Sequence, residues 1–222
     1  MPSIEQYYEN YWEDPEAYSD PTTPQRQALL TRALAPLPKG SLILDVGCGR
    51  GEFCDFFIKQ GHRAEGTDLS HAAVKYAREH FPAATFHACL VEDMLPTRAG
   101  AFDAVFSSEV IEHLFDVGTY LMAINHLLKD NGLFILTTPY HGLAKNIMID
   151  LLNYAGHYDP MGQHIRFFDT KGMDRSLRTF GFEPVHWWGY GRPWPFWKSF
   201  FVVARKVAQA KPVSVGTQGR TS

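Results

Sequence analysis

The sequence has 222 residues, of which 45% are hydrophobic and 20% are charged. This length and composition allow one sizeable hydrophobic core and exclude a wholly disordered chain. The 21 Lys and Arg residues are outnumbered by 24 Asp and Glu residues, so the formal net charge at pH 7 is −3. The chain therefore lacks the positive field that non-specific nucleic-acid binding requires, and we expect no DNA partner.

The cysteine pattern and the N-terminus both bear on the cellular location. Cys48, Cys54 and Cys89 form neither an even set nor a Cys-x-x-Cys pair, which is typical of a reduced protein, and we expect a cytoplasmic location. The first 20 residues carry six acids and no Lys or Arg. No apolar run approaches the ~20 residues that a membrane-spanning helix needs, so we expect neither a signal peptide nor a transmembrane segment.

In chain order, the acidic and aromatic segment 1–23 predicts a lid, and residues 24–34 predict a helix. From residue 41 onward, short apolar runs alternate with amphipathic stretches, which is typical of a parallel sheet with helices on both faces. The predicted strands are 41–46, 63–67, 85–88, 102–107 and 132–138, and the predicted helices are 52–60, 71–80 and 117–129.

The C-terminal third departs from this simple alternation. Residues 139–168 combine apolar residues with several histidines and predict an insertion that covers one side of the site. A helix is predicted at 171–180, and strands at 182–188 and 200–204 predict a closing hairpin. The main domain is then expected at 24–205, followed by a flexible tail at 206–222 that has no hydrophobic periodicity.

A glycine-rich turn follows the first predicted strand. Gly47, Gly49 and Gly51 lie in LDVGCGRGEF, where missing Cβ atoms allow positive φ and a close approach of a ligand to the backbone. Asp68 follows the second strand, where its carboxylate can accept both hydroxyls of a ribose. The G-x-G-x-G spacing differs from the dinucleotide pattern G-x-G-x-x-G, which disfavours an NAD-dependent oxidoreductase. A turn without a ligand is the alternative interpretation.

These features, with 89–93 (CLVED) and 102–114 (FDAVFSSEVIEHL), resemble the class I S-adenosylmethionine-dependent methyltransferases. The resemblance covers about residues 24–206. It is greatest to small-molecule O-methyltransferases of the kind that act in ubiquinone biosynthesis. It implies an α/β Rossmann-like fold with a seven-stranded, mostly parallel sheet of order 3-2-1-4-5-7-6, in which strand 7 is antiparallel and helices cover both faces.

The resemblance also implies which residues contact the cofactor, S-adenosylmethionine. The methionine part would be approached by Asp45, Gly47, Cys48, Gly49 and Gly51. The ribose and adenine would be approached by Asp68, Leu69, Val91 and Glu92, and Ser108 would lie under the sulfonium.

An acidic-histidine set follows the fourth strand. Glu109, Glu112 and His113 have i, i+3, i+4 spacing, so a helix that starts here would gather them on one face at the carboxyl edge of the sheet. Together with His164, they suit a divalent Mg, Mn, Fe or Zn ion. E-x-x-E-H with a distant His also resembles the metal-binding pattern of small-RNA terminal 2′-O-methyltransferases and of the ubiquinone-type enzymes. The alternatives are acids that favour a helix N-terminus and His113 acting as a general base without metal.

The sequence therefore predicts methyl transfer to a hydroxyl of a small or carrier-linked acceptor, such as a sugar, a natural product or a quinone-like molecule. RNA 2′-O-methylation is disfavoured by the net charge, and a non-catalytic cofactor-binding subunit is the alternative from another class. The aromatic stretch 187–200, with Arg192 and Lys198, predicts hairpin packing, with an acceptor wall, a membrane-surface contact or a dimer face as alternatives. The oligomeric state stays open.

Overall fold

A computed structural model describes residues 9, 20–159 and 162–210 of the chain. The strands are β1 (Leu42–Val46), β2 (Arg63–Asp68), β3 (Thr85–Ala88), β4 (Phe102–Ser108), β5 (Leu128–Pro139), β6 (Phe182–Tyr190) and β7 (Ser199–Lys206). The helices are α1 (Thr23–Leu34), α2 (Glu52–Lys59), α3 (His71–His80), α4 (Leu95–Arg98), α5 (Val117–Leu127), α6 (Leu143–His157) and α7 (Thr170–Thr179). Two 3₁₀ turns lie at Val91–Met94 and Ile111–His113.

The seven strands of the described residues form one sheet in the order β3-β2-β1-β4-β5-β7-β6. Every neighbouring pair is parallel except the two pairs that involve β7, which runs antiparallel to β5 and to β6. The predicted order and the predicted antiparallel strand are both confirmed.

Helices cover both faces of the sheet, as predicted. Ile124 of α5 and Leu177 of α7 belong to the hydrophobic cluster on one face. Leu30 of α1, Phe57 of α2 and Val74 of α3 belong to the cluster on the other face. The central strands are therefore buried on both sides, which explains why their sequences are continuous apolar runs.

Short polar side chains start three of the helices. Ser70, Asp116 and Asp169 each accept a hydrogen bond from the backbone amide three residues later, which satisfies one of the amides that a helix start leaves without a partner. The loops that precede α3, α5 and α7 are thereby held in defined positions relative to the strand ends.

Two predicted helical segments are wrong in part. The helix predicted at 117–129 ends at Leu127, because Leu128 is extended and pairs with Phe102 of β4. No helix begins at Glu109: its φ of 56° is left-handed, and a single 3₁₀ turn follows it. The acids and His113 are consequently not arranged on one face of an α-helix.

The predicted lid lies outside the described residues except at residues 9 and 20–23, and most of the predicted tail lies outside them as well. The division into a lid at 1–23, a domain at 24–205 with an insertion at 139–168 and a tail at 206–222 therefore stays a prediction. None of the described helices combines the length and the hydropathy that crossing a bilayer requires.

Candidate cofactor and acceptor site

A cavity of about 620 Å³ opens where the carboxyl ends of β1, β2 and β4 meet, which is the usual ligand edge of an open α/β sheet. Most of the predicted site residues line it: Asp45, Gly47, Cys48, Gly49, Asp68, Leu69, Val91, Glu92, Ser108, Glu109, His113 and His164. Gly51 and Glu112 are the two predicted site residues outside this lining.

The glycine turn has two different functions along its length. Gly47 has a φ of 72°, and a Cβ at this position would collide with Val110, so only glycine fits. Gly51 also has positive φ, but it begins α2 and packs against Phe86 away from the cavity. The first part of the turn therefore faces the cavity, whereas Gly51 has a structural function.

Asp68 ties this turn to the next helix. Its Oδ2 accepts a hydrogen bond from the Gly49 amide, and its Oδ1 accepts one from the Ser70 amide, each at 2.9 Å. Burial raises the pKa of Asp68, while these amide contacts act in the opposite direction. The carboxylate is thus held in place at the cavity wall before any ligand binds.

The wall of the cavity that Asp45, Asp68 and Glu92 line is strongly acidic. Burial raises the pKa of Asp45 well above its ordinary value, and the neighbouring charges of Asp68 and Glu52 act in the same direction. Glu92 also has a pKa raised by burial, and its Oε2 is buried without a hydrogen-bond partner among the described residues. This wall therefore favours a cationic ligand and leaves an acceptor oxygen for a donor such as an amine.

Arg26 is the one Lys or Arg side chain among the described residues that line the cavity. It is 1% exposed, donates from Nη1 to Ser108 Oγ at 2.6 Å and pairs with Asp20 at 2.8 Å. Arg26 was not among the site residues predicted from the sequence. Arg26 lies four residues before Leu30 and eight before Leu34, so helical spacing places it on the apolar face of α1. A cation at such a position is the signal that could have identified it.

Glu109 occupies the boundary between β4, β5 and β7. Its carboxylate accepts hydrogen bonds from the hydroxyls of Thr137, Tyr190 and Ser199 at 2.9, 3.0 and 3.3 Å. Burial raises its pKa, while these donors and the Arg26 charge lower it. A left-handed φ in a non-glycine residue costs about 1–2 kcal/mol, so the surrounding contacts hold this carboxylate in a strained position.

The structure brings three of the four candidate metal ligands together. One ligand atom from each of Glu112, His113 and His164 lies within 4.8 Å of the others, and Glu109 is not part of this group. His113 Nδ1 lies 3.1 Å from the Gln163 carbonyl oxygen. Because a carbonyl only accepts, Nδ1 carries the proton and Nε2 keeps its lone pair.

Glu112 is the buried carboxylate of this group. It is 1% exposed, and Oε2 accepts a hydrogen bond from Thr138 Oγ1 at 2.9 Å. Its Oε1 is buried, has no hydrogen-bond partner in the described part of the chain and lies 3.8 Å from His113 Nε2. Burial raises the pKa of Glu112 well above its ordinary value, and the nearby Glu109 charge acts in the same direction.

Residues 163–166, at the end of the predicted insertion, hold the 3₁₀ turn Ile111–His113 in place. The amides of Ile165 and Arg166 both donate to the Glu112 carbonyl at 3.0 Å, next to the Gln163 carbonyl that binds His113. The predicted insertion therefore touches the candidate catalytic residue through its backbone, and no side-chain pattern could have indicated this contact.

The family described as "Methyltransferase domain" matches residues 22–187, which include every candidate site residue above. The chain belongs to this methyltransferase family. The predicted recognition is therefore confirmed. A "Ubiquinone biosynthesis O-methyltransferase" from Xanthomonas axonopodis pv. citri is 33% identical to this methyltransferase over 161 residues, which cover 70% of this chain and 67% of the relative. The chain spans between 40 and 67% of the length of the curated relatives of that name.

Solved structures show the same fold with different reactions. A Burkholderia thailandensis 1,6-didemethyltoxoflavin-N1-methyltransferase with bound S-adenosylhomocysteine has a TM-score of 0.71 at 22% identity, covering 92% of this methyltransferase and 88% of that chain. The [4+2]-cyclase SpnF has a TM-score of 0.71 at 17% identity, and the match covers 93% of this methyltransferase and 97% of the cyclase chain. Since a cyclase shares this fold, the reaction has to be argued from the site.

Proposed function

We propose that this methyltransferase moves the methyl group of S-adenosylmethionine to a hydroxyl of a small-molecule or carrier-linked acceptor. The observation that carries the proposal is the orientation of His113. Its Nδ1–H is directed to the Gln163 carbonyl, so the lone pair of Nε2 is available at the wall of the cavity. The 33% identity to a ubiquinone biosynthesis O-methyltransferase supports a hydroxyl acceptor of this general kind.

The residues of the cavity fit the cofactor. Gly47 leaves room for a ligand against the backbone, and Asp68 offers carboxylate oxygens to a ribose at the end of β2. Arg26 is suited to the carboxylate of the methionine part, and Glu92 Oε2 is suited to the adenine amine. When bound, the cofactor supplies a methyl group on a positively charged sulfonium, for which the acidic wall is electrostatically favourable.

His113 acts on the acceptor in this proposal. As the acceptor oxygen attacks the methyl carbon, its proton moves to His113 Nε2, while Nδ1–H stays bound to Gln163. Burial lowers the pKa of His113 below its ordinary value, so the ring is neutral and ready to accept a proton at neutral pH. The remaining contribution of the protein is to hold the acceptor oxygen in line with the methyl group.

A divalent cation is a second component that the site supports. The unsatisfied Oε1 of Glu112, the lone pair of His113 and the ring of His164 form a small set of nitrogen and oxygen ligands. A cation here would lower the pKa of the acceptor hydroxyl and fix its orientation. His113 would then bind the cation instead of accepting the proton, so the two roles exclude each other.

Metal removal distinguishes these roles. If a cation is held, protein purified without chelator should contain Mg, Mn, Fe or Zn by elemental analysis, and Glu112→Gln and His164→Ala should each lower that content. EDTA should then abolish turnover while the affinity for S-adenosylhomocysteine is unchanged. Glu183→Gln, at an exposed position on β6, is the matched control. Full turnover at negligible metal content would remove the cation and leave His113 as the base.

Glu9, in the predicted N-terminal lid, contacts the start of α3. The Glu9 carboxylate accepts hydrogen bonds from the His71 and Ala72 amides and from Ser70 Oγ, directly beyond Asp68. Slight burial acts to raise the pKa of Glu9, but these donors hold it below its ordinary value. We propose that segment 1–23 covers the ribose side of the cavity.

A chain that begins at Asp20 tests the lid. It keeps the ion pair of Asp20 with Arg26 and lacks Glu9. We expect it to fold and to bind S-adenosylhomocysteine several-fold more weakly by calorimetry, because one wall of the cofactor site is missing. Glu183→Ala in the full chain controls for the loss of an acid on the surface. Unchanged affinity and turnover would show that the segment has no such role.

A further inference from the structure

Helix α6 packs an unusual residue against the body of the protein. Its one buried residue is Lys145, which is 7% exposed. Three of its leucines, Leu143, Leu151 and Leu152, are instead 78, 79 and 78% exposed. A helix that packs for stability alone buries its apolar residues and leaves its lysines in water. The inward position of Lys145 therefore requires another explanation.

The Lys145 ammonium has little to compensate its charge. Nζ donates one hydrogen bond, to the Lys198 carbonyl oxygen at 3.1 Å. An ammonium has three donors, and within the described part of the chain Lys145 forms no ion pair with a carboxylate. A buried charge without a partner is costly, and such groups are normally paired or bind a ligand.

Two further cations lie near this ammonium, on the loop between β6 and β7. Burial and the charges of Arg192 and Lys198 lower the pKa of Lys145 to about 8, while Glu109 acts in the opposite direction. Arg192 also forms no ion pair among the described residues, whereas Lys198 makes a long contact with Asp20 at 3.4 Å. The titratable groups that interact with Lys145 are Glu109, His141, His157, Arg192 and Lys198.

We propose that Lys145, together with Arg192 and Lys198, binds an oxyanion of the acceptor, either a phosphate or a carboxylate. The proposal rests on the proposed function, because it places the anionic group on the molecule whose hydroxyl is methylated. A buried ammonium next to the backbone of Lys198, with the charges of Arg192 and Lys198 acting on it, is an electrostatic environment that favours such groups. Arg192 is exposed, so the site is open to an acceptor from the side of this loop.

The position of the site relative to His113 agrees with a single acceptor that spans both. The rings of His141 and His157 interact with both Lys145 and His164, and the His164 ring lies 4.9 Å from that of His113. Glu109 lines the cavity and also interacts with Lys145. One molecule can therefore present its hydroxyl to His113 and its anionic group to Lys145 while the insertion lies over it.

Sulfate is the probe for this site, because its charge is constant through the neutral and alkaline range. Titration calorimetry of the full chain, saturated with S-adenosylhomocysteine, should show saturable sulfate binding at pH 7. Lys145→Met should weaken that binding by at least about tenfold, and Arg192→Met by about threefold. Lys171→Met, an exposed cation on α7, is the matched control and should not change it.

The pH dependence separates a bound anion from a structural lysine. Since Lys145 has a pKa of about 8, sulfate affinity should fall by about tenfold between pH 7 and pH 9, as the ammonium loses its proton. Lys145→Arg keeps its charge and should bind sulfate equally at both pH values.

Pyrophosphate and benzoate, titrated in the same way, then identify the anion. Tighter binding of pyrophosphate indicates a phosphate on the acceptor, and tighter binding of benzoate indicates a carboxylate.

The melting temperature of Lys145→Met shows whether weaker sulfate binding comes from loss of the anion site or from loss of the fold. Lys145→Met removes a buried ammonium that forms no ion pair with any carboxylate the structure describes, so the melting temperature of this variant should rise rather than fall. Absence of saturable sulfate binding by the wild type, or equal binding by Lys145→Met and Lys171→Met, would overturn the anion site. Failure of the same samples to bind S-adenosylhomocysteine would instead overturn the proposed function.

Discussion

Replacing His113 with alanine is expected to lower kcat by ~10²–10⁴-fold, the usual contribution of a positioned general base. The physical reason is that the variant lacks the nitrogen proposed to receive the proton of the acceptor hydroxyl, namely Nε2 of His113, which keeps its lone pair because Nδ1 donates to the Gln163 carbonyl. The measurement is turnover with any hydroxyl acceptor that the wild type methylates, drawn from a panel of catechols and hydroxylated glycosides.

Two controls accompany this variant. Its affinity for S-adenosylhomocysteine should stay within about a factor of two of the wild type, because His113 is expected to contact the acceptor rather than the cofactor. His80→Ala changes an exposed histidine at the end of α3 and should leave kcat unchanged. A His113→Ala protein that keeps wild-type kcat would contradict both the base and the metal interpretation of this residue.

Replacing Asp68 with asparagine is expected to abolish most of the thermal stabilisation that S-adenosylhomocysteine gives the wild type. A ligand that binds only the folded state stabilises it by mass action, so the shift in melting temperature reports affinity. A hydrogen bond to a charged group is worth about 1.5–3 kcal/mol, which corresponds to a loss of affinity of about tenfold or more. Thermal melts over a series of S-adenosylhomocysteine concentrations measure this effect.

Asparagine is chosen because it retains the shape of Asp68 and one oxygen for the Gly49 or Ser70 amide. Asp55→Asn, on α2 outside the cavity, is the control for loss of a carboxylate. An Asp68→Asn protein that shows the full stabilisation by S-adenosylhomocysteine would exclude the carboxylate from ribose binding. A shift that appears with NAD instead would make the cofactor assignment wrong.

The fold was largely predictable because its information is local. Strands buried on both faces appear as continuous apolar runs, and the glycine turn and Asp68 lie at the strand ends that an open α/β sheet uses for ligands. The errors were at the edges of elements. Leu128, for example, continues a helical pattern in sequence but is extended because it pairs with Phe102.

The site was less predictable because its decisive contacts are long-range. Arg26 reaches Ser108 across 82 positions, and the Gln163 carbonyl reaches His113 across 50. A backbone carbonyl carries no residue-type signal, so the tautomer of His113 was beyond sequence reasoning. The left-handed backbone of Glu109 was equally hidden, because helical spacing alone gives no indication of the contacts with Tyr190 and Ser199 that hold it.

Residues 163–166, the return arm of the predicted insertion, have a consequence for the order of events in the proposed catalytic cycle. The backbone of residues 163–166 holds both His113, through the Gln163 carbonyl, and the carbonyl of Glu112, through the amides of Ile165 and Arg166. Any movement that lifts this arm to admit or release an acceptor also breaks the contact that sets the protonation pattern of His113. In the proposed reaction, His113 is therefore oriented as the base only while residues 163–166 are in place.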